Sequence, residues 1–249
     1  MSEYTTIWEE FELPSKGLIY DKSVNPHISL RSMTVAEEMK RLSPTETPYK
    51  VMSDIIEDCM KDKPAIHVTE MSLGDYQFLL HKLRIVTYGK DYKMLVTCPK
   101  CGETTEMVAD LDTLEVSEWD ENITKDQLIS LPVSNYTVEL KFQSPRDLDV
   151  INYRTKELRK KLKTSVDFSI LFTLMSLIRS VDGKLLSEVL IEDFVKKLPT
   201  KDCNYILTKA AELNKKVGIN NTISMKCVQC GFDIDAPFRI TSEFFGPTN

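Results

Sequence analysis

Cys98-Pro99-Lys100-Cys101-Gly102 and Cys227-Val228-Gln229-Cys230-Gly231 are two copies of one pattern in this chain. Two residues separate the cysteines of each copy, so a tight turn can direct both thiols at one point. The glycine that follows can adopt the positive φ that closes such a turn. Two copies among only six cysteines predict one site of four thiolates, Cys98, Cys101, Cys227 and Cys230, as in structural zinc sites.

Disulfides, redox dithiols and unrelated free thiols are the alternative interpretations of these cysteines. The chain starts without the apolar run of a signal peptide, and no stretch reaches the ~18 apolar residues of a membrane span. We therefore expect a reducing cytosol, where paired CxxC motifs favour metal over disulfides. A thioredoxin-like dithiol usually begins a helix, whereas strands are predicted here over residues 92–97 and 103–108. Cys59 and Cys203 have no partner at ligand spacing and are predicted to be packed thiols.

The predicted metal is architectural, because four thiolates leave no coordination position open for substrate or water. It joins motifs that are 125 residues apart, a loop whose closure costs on the order of 4 kcal/mol. Structural zinc contributes ~10–16 kcal/mol in small peptides, which exceeds that cost. Iron is the alternative ion for four thiolates, and the ribbon-like flanks favour zinc.

Composition and charge limit the partners of the chain. Its 249 residues are 42% hydrophobic and 28% charged, which is typical of a globular protein. The net charge of −6 argues against a general nucleic-acid binder, which normally carries a basic surplus. We expect neither nucleic acid nor a membrane among its partners.

Sequence periodicity predicts an α+β fold in which a split four-cysteine zinc-ribbon β core carries an N-terminal helical region and a helical insertion between the two CxxC knuckles. Thr34 and Glu37 match a capping box that begins a helix, and strict alternation over residues 136–142 predicts a strand. The predicted parts are residues 1–33, a loop with short strands; 34–89, helical; 90–143 and 218–249, the β core; and 144–217, the insertion, with helices over 147–162, 166–179, 187–198 and 200–216.

Two features of the insertion suggest contacts with other chains. A basic cluster is either a solvated helix face or an interface with an acidic partner segment. The predicted helix over residues 166–179 is apolar on nearly all sides, which indicates burial within the insertion or against another chain, a second copy included. The basic cluster comprises Arg154, Lys156, Arg159, Lys160, Lys161 and Lys163.

Enzyme motifs are not found in the sequence. The three histidines, His27, His67 and His81, form no metal-protease pattern, and the eight glycines form no phosphate-binding loop. We therefore expect a binding or assembly protein and no enzymatic activity.

Several further motifs resemble, in order, those of the baseplate hub family of T-even-type contractile-tailed bacteriophages. The resemblance spans nearly the whole chain and includes both cysteine motifs. Its other parts are residues 11–17 (FELPSKG), 28–38 (ISLRSMTVAEE), 83–92 (LRIVTYGKDY), 178–183 (IRSVDG) and 244–247 (FFGP).

This resemblance implies a late-expressed protein in the host cytoplasm that contacts phage baseplate hub or tape-measure proteins. It is either a transient assembly factor, which the length and the complete pair of knuckles favour, or a hub subunit retained in the virion. Shielding an aggregation-prone segment requires an exposed contact surface. The expected contact residues are Leu13, Pro14, Lys16 and Tyr20 in the N-terminal loop and Phe168, Leu171, Phe172 and Met175 on the apolar helix.

Overall fold

A computed structural model describes residues 6–220, 222–237 and 242–246. Within these ranges, eight α-helices are interspersed with short strands, which form four two-stranded sheets and one three-stranded sheet. The fold is therefore α+β, as predicted. No helix in the described ranges is both long and apolar enough to cross a membrane.

The N-terminal part is a β-hairpin followed by three helices. Strands β1 (Glu9–Glu12) and β2 (His27–Leu30) pair antiparallel and precede α1 (Val35–Leu42), α2 (Pro48–Asp58) and α3 (Leu73–Tyr88). The predicted capping box of α1 is present, and α3 is capped by Ser72 at its start and by Gly89, with a φ of 86°, at its end. The core of this part includes Leu13, Leu30, Ile55, Ile56, Leu79 and Leu83.

Two antiparallel hairpins carry the cysteine motifs at their turns. One consists of β3 (Asp91–Thr97) and β4 (Thr104–Asp110), and the other of the late strands β10 (Thr222–Lys226) and β11 (Asp233–Pro237). Their shared hydrophobic cluster is small and consists of Val96, Cys98, Cys227, Ile234 and Ala236. Because this cluster is small, the burial of apolar surface contributes little to holding the two hairpins together.

The rest of the chain forms a second core. Its elements are β5 (Val116–Ser117), α4 (Ile123–Asp126), β6 (Leu128–Ser130), β7 (Thr137–Leu140), α5 (Pro145–Leu162), α6 (Ser169–Leu177), β8 (Ile178–Val181), α7 (Glu188–Lys197), α8 (Thr200–Asn214) and β9 (Gly218–Ile219). Strands β6, β7 and β8 form one sheet, and β5 pairs with β9. Val138 of β7 packs in one cluster with Leu177 and Ile206. The strand predicted over residues 136–142 thus shares its core with the insertion helices and not with the hairpins.

The predicted helix over residues 166–179 differs from the structure. The helix α6 covers only Ser169–Leu177, and Ile178 begins β8. The reason is a tertiary partner: β8 pairs with β7, and the Leu177 carbonyl accepts a hydrogen bond from the Lys141 amide at 2.9 Å. β-branched residues such as Ile178 and Val181 fit a half-buried pleated surface well, so pairing replaces the last helical turn.

The N-terminal part and the second core are joined by specific contacts. Thr47 makes no side-chain cap at the start of α2, and Asp149 of α5 takes its place by accepting hydrogen bonds from the amides of Tyr49 at 3.4 Å and Lys50 at 2.8 Å. At the start of α3, a Cβ on Gly74 would lie 2.0 Å from the Val217 carbonyl oxygen. Only glycine permits so close an approach of two backbones.

Candidate metal centre

The four cysteines of the two motifs lie together in space. Their Sγ atoms all fall within 4.8 Å of one another. The distance from Cys98 to Cys230 is 3.7 Å, as is the distance from Cys101 to Cys227. Both distances greatly exceed a disulfide bond of about 2.05 Å, and each links one motif to the other. The cluster is thus able to hold one metal ion between the hairpins.

The two turns have the same backbone geometry. In the first, the Cys98 amide donates to the Glu103 carbonyl at 2.8 Å, and the Gly102 amide donates to the Cys98 carbonyl at 2.9 Å. In the second, the Cys227 and Gly231 amides make the equivalent bonds at 2.8 and 2.9 Å. Gly102 and Gly231 have φ values of 74° and 67°. The predicted positive φ is confirmed at both glycines, and each turn is fixed by its own backbone.

The thiols of the first turn differ in acidity. The Cys101 amide, which donates a hydrogen bond to the sulfur of Cys98, lowers the pKa of Cys98 to about 7. The amide of Glu103 also lowers the pKa of Cys101, but desolvation and the sulfurs of Cys98, Cys230 and Cys227 outweigh it and raise that pKa to about 12. Four thiolates this close repel one another unless a cation neutralises them. Metal binding would therefore release protons from this cluster.

The other two cysteines stand apart from the cluster. Cys59 is fully buried in the N-terminal core, and burial raises its pKa to about 12. Cys203 is half-buried against the second core. Both pack against apolar neighbours, as predicted, and neither belongs to the four-cysteine cluster.

The predicted contact residues of the N-terminal loop lie in different environments. Leu13 and Pro14 are buried, whereas Lys16 is partly exposed and pairs with Glu118 at 2.7 Å. Tyr20 is largely buried and donates a hydrogen bond to Asp75 at 2.5 Å. Asp75 also accepts hydrogen bonds from the Ser15 hydroxyl at 2.5 Å and the Ser15 amide at 3.0 Å. This loop is therefore held to α3 by a buried carboxylate.

The sequence alone does not single out Asp75. It lies three residues after the helix cap Ser72, where an acidic residue is ordinary, so nothing local distinguished it from a solvated first-turn carboxylate. Burial raises its pKa, although the hydrogen bonds from Ser15 and Tyr20 oppose that effect. Its role depends on a loop 60 residues away.

The predicted contact residues of α6 face mainly inward. Phe172 is only 6% exposed, and the guanidinium of Arg154 lies 4.7 Å from its ring centre. Phe168, Leu171 and Met175 are half-buried, and Leu171 and Met175 pack against the second core. The exposed apolar residue of this helix is Ile170, at 51%. Most of the apolar side of α6 is thus used within the chain.

Fold and site together define an α+β protein in which a cluster of four cysteines joins two hairpins distant in sequence. The chain belongs to a family described as T4 bacteriophage base plate protein, whose model matches residues 6–246. No curated protein and no solved structure matches the chain. The resemblance to phage baseplate proteins seen in the motifs is therefore confirmed at the level of the family.

Proposed function

We propose that this chain is a non-enzymatic assembly factor for the baseplate hub of a contractile-tailed bacteriophage. It acts in the host cytoplasm through transient contacts with hub or tape-measure proteins. The observation that carries the proposal is the family match over residues 6–246, which includes the N-terminal loop, both cysteine motifs and the helical part between them. The match to the baseplate family thus covers nearly the whole chain and is not confined to one module.

Zn²⁺ is the ion proposed for the four-cysteine cluster. An ion about 2.3 Å from each of four sulfurs in a tetrahedron keeps neighbouring sulfurs about 3.8 Å apart. The two distances of 3.7 Å between the motifs agree with that spacing. Four protein ligands leave no position for substrate, so the ion stabilises the protein and takes part in no reaction. It compensates for the small apolar cluster that the two hairpins share.

The buried polar groups of the described part support a role without covalent chemistry. Asp75 holds the N-terminal loop, and Asp149 caps α2. The carboxylate of Asp202 accepts hydrogen bonds from the amides of Val133 and Ser134, both at 2.9 Å. Each of these carboxylates thus already serves the fold through backbone amides, which is what a scaffold for protein contacts requires.

Exposed apolar side chains support contact with other proteins. In α1, Val35, Met39 and Leu42 lie on one side of the helix and are 75%, 67% and 70% exposed, while Glu37 on the other side is buried against Arg31. In the N-terminal loop, Leu18 is 59% exposed. Exposed apolar side chains that lie this close together are typical of surfaces that bind other molecules.

Two experiments test the proposal. Co-expression with each candidate hub and tape-measure protein, followed by pull-down and size-exclusion chromatography, is expected to yield a complex; failure with every candidate contradicts the proposal. Mass spectrometry of purified virions beside infected-cell lysate then separates the alternatives. An assembly factor is found in the lysate and is absent from virions, whereas a structural hub subunit is present in virions at a fixed low copy number.

A further inference from the structure

One surface of the second core combines unpaired positive charge with exposed aliphatic side chains. It is formed by the end of α5 and the start of α6, and we call it the α5–α6 surface. Its lysines are Lys160, Lys161 and Lys163, and its aliphatic residues are Leu162, Val166 and Ile170. The aliphatic residues are 56%, 55% and 51% exposed.

The segment between the two helices is held in a defined position. The Arg159 side chain donates a hydrogen bond to the Val166 carbonyl at 2.9 Å and pairs with Asp167 at 3.5 Å. Five residues earlier in α5, Arg154 covers the Phe172 ring of α6 and pairs with Glu188 at the start of α7. The lysines and the aliphatic residues therefore belong to one continuous part of the molecule.

The charge of this surface is opposite to that of the chain. Residues 153–170 contain six basic and two acidic residues, although the whole chain has a net charge of −6. Arg154, Lys156 and Arg159 have carboxylate partners. Lys160, Lys161 and Lys163 form no ion pair with any carboxylate in the described part of the chain. Lys156 and, to a lesser extent, Lys160 lower the pKa of Glu46, and the remaining charge of the three lysines is available to a partner.

Helix-end electrostatics explain only part of the arrangement. Basic residues in the last turn of α5 are favoured by the helix dipole, which accounts for lysines at these positions. That effect does not explain why three aliphatic side chains beside the lysines are about half exposed to solvent. A partner that supplies both carboxylates and apolar side chains satisfies both groups at once.

We propose that the α5–α6 surface binds an acidic amphipathic helix of a hub or tape-measure protein. Apolar side chains of that helix lie on Leu162, Val166 and Ile170, and its flanking Asp or Glu residues face the three lysines, as in helix-in-groove recognition. Nucleic acid fits less well because the exposed apolar residues are aliphatic and do not stack on bases. This inference names the partner segment and rests on the proposed assembly function.

The first test uses the co-expressed complex and two variants of equal charge. The triple variant Lys160→Glu, Lys161→Glu, Lys163→Glu reverses the lysines of the surface. The matched control Lys22→Glu, Lys61→Glu, Lys63→Glu reverses three exposed lysines elsewhere. We expect the surface variant to weaken capture of the hub or tape-measure protein about tenfold or more, with a steeper loss at low salt, and the control to match wild type. If the surface variant captures as much as wild type, this inference is overturned while the assembly function stands.

The second test is independent of the phage partner. A synthetic helical peptide of about 20 residues, with leucines on one side flanked by glutamates, is titrated into wild-type protein; a peptide with glutamines in place of glutamates is its control. We expect wild-type protein to bind the acidic peptide and not the glutamine peptide. The surface variant should lose this binding, and Ile170→Ser should weaken it. If the protein neither binds the peptide nor captures a hub or tape-measure protein, both proposals are overturned. Binding of phosphatidylserine vesicles or single-stranded DNA that depends on these lysines, without peptide binding, assigns the surface to another class of ligand.

Discussion

The guanidinium of Arg84 donates a hydrogen bond to the backbone carbonyl of Phe244 at 3.2 Å, joining α3 to a segment 160 residues away. Arg84 is fully buried. It also donates to the carbonyls of Gly89 and Asp91 and lies over the ring of Phe244. Burial lowers its pKa, and the carbonyl oxygens and aromatic rings around it stabilise its positive charge.

Replacing Arg84 is expected to destabilise the protein strongly. Arg84→Met removes the donors of three carbonyls at once and should lower the free energy of unfolding by about 3 kcal/mol or more. Arg84→Lys should recover little of that loss, since an ammonium lacks the planar fork of the guanidinium. Urea unfolding followed by circular dichroism measures both effects. Arg146→Met, which removes an exposed ion pair with Glu70, is the control and should cost less than about 1 kcal/mol.

Removing one ligand of the metal site should release the metal. Cys98→Ser and Cys227→Ser are each expected to lose bound zinc, measured by elemental analysis of the purified protein, and to unfold at lower temperature. Acidification should release the metal from wild type as well, because protons compete for the thiolates. Cys203→Ser, a change outside the cluster, should keep the full metal content. Variants of both motifs that retain metal and stability would show that the two motifs share no site.

His81 is expected to make stability depend on pH in a defined window. It is buried, and its Nε2 donates to the Leu111 carbonyl at 2.9 Å; burial lowers its pKa to about 4. The unfolded chain, whose histidine pKa is about 6.5, therefore binds a proton that the folded chain does not. The contribution of His81 to stability is complete above about pH 6.5 and falls, by about 3 kcal/mol, as the pH drops to about 4.

His81→Gln keeps a donor for Leu111 but removes the titration, so its stability should vary less than that of wild type over this window. Chemical unfolding at a series of pH values provides the comparison. His27→Gln, at an exposed position, should follow the wild-type curve. An equally steep curve for His81→Gln would show that other groups cause the dependence.

Gly74 is expected to tolerate no side chain. In Gly74→Ala, the new Cβ would lie 2.0 Å from the Val217 carbonyl oxygen and 2.8 Å from its carbon, and both are backbone atoms that cannot move aside alone. Thermal unfolding should show a loss of about 2–3 kcal/mol or more. Gly183→Asn is the matched control, because a Cβ there meets nothing within 4 Å and asparagine accepts the positive φ of 71°. Equal stability of both variants would contradict the close contact.

Local signals in the sequence were sufficient for the four-cysteine cluster and for most helix starts. The Thr34–Glu37 capping box and the positive φ of Gly102 and Gly231 need only neighbouring residues. The sequence does not predict the end of α6, because the residues from 166 to 179 are compatible with a helix throughout. Only the presence of β7 beside Ile178 makes pairing more favourable than another turn.

The sequence by itself determined the α+β class, the four-cysteine cluster and the family, since each depends on residue types at short spacings. Tertiary structure alone decided which distant groups satisfy one another: Asp149 with the amides of α2, Asp75 with Ser15, and Arg84 with Phe244. It also decided which side of α6 is buried and that Lys160, Lys161 and Lys163 remain unpaired. The physical reason is that burial and pairing depend on neighbours brought together by the whole fold.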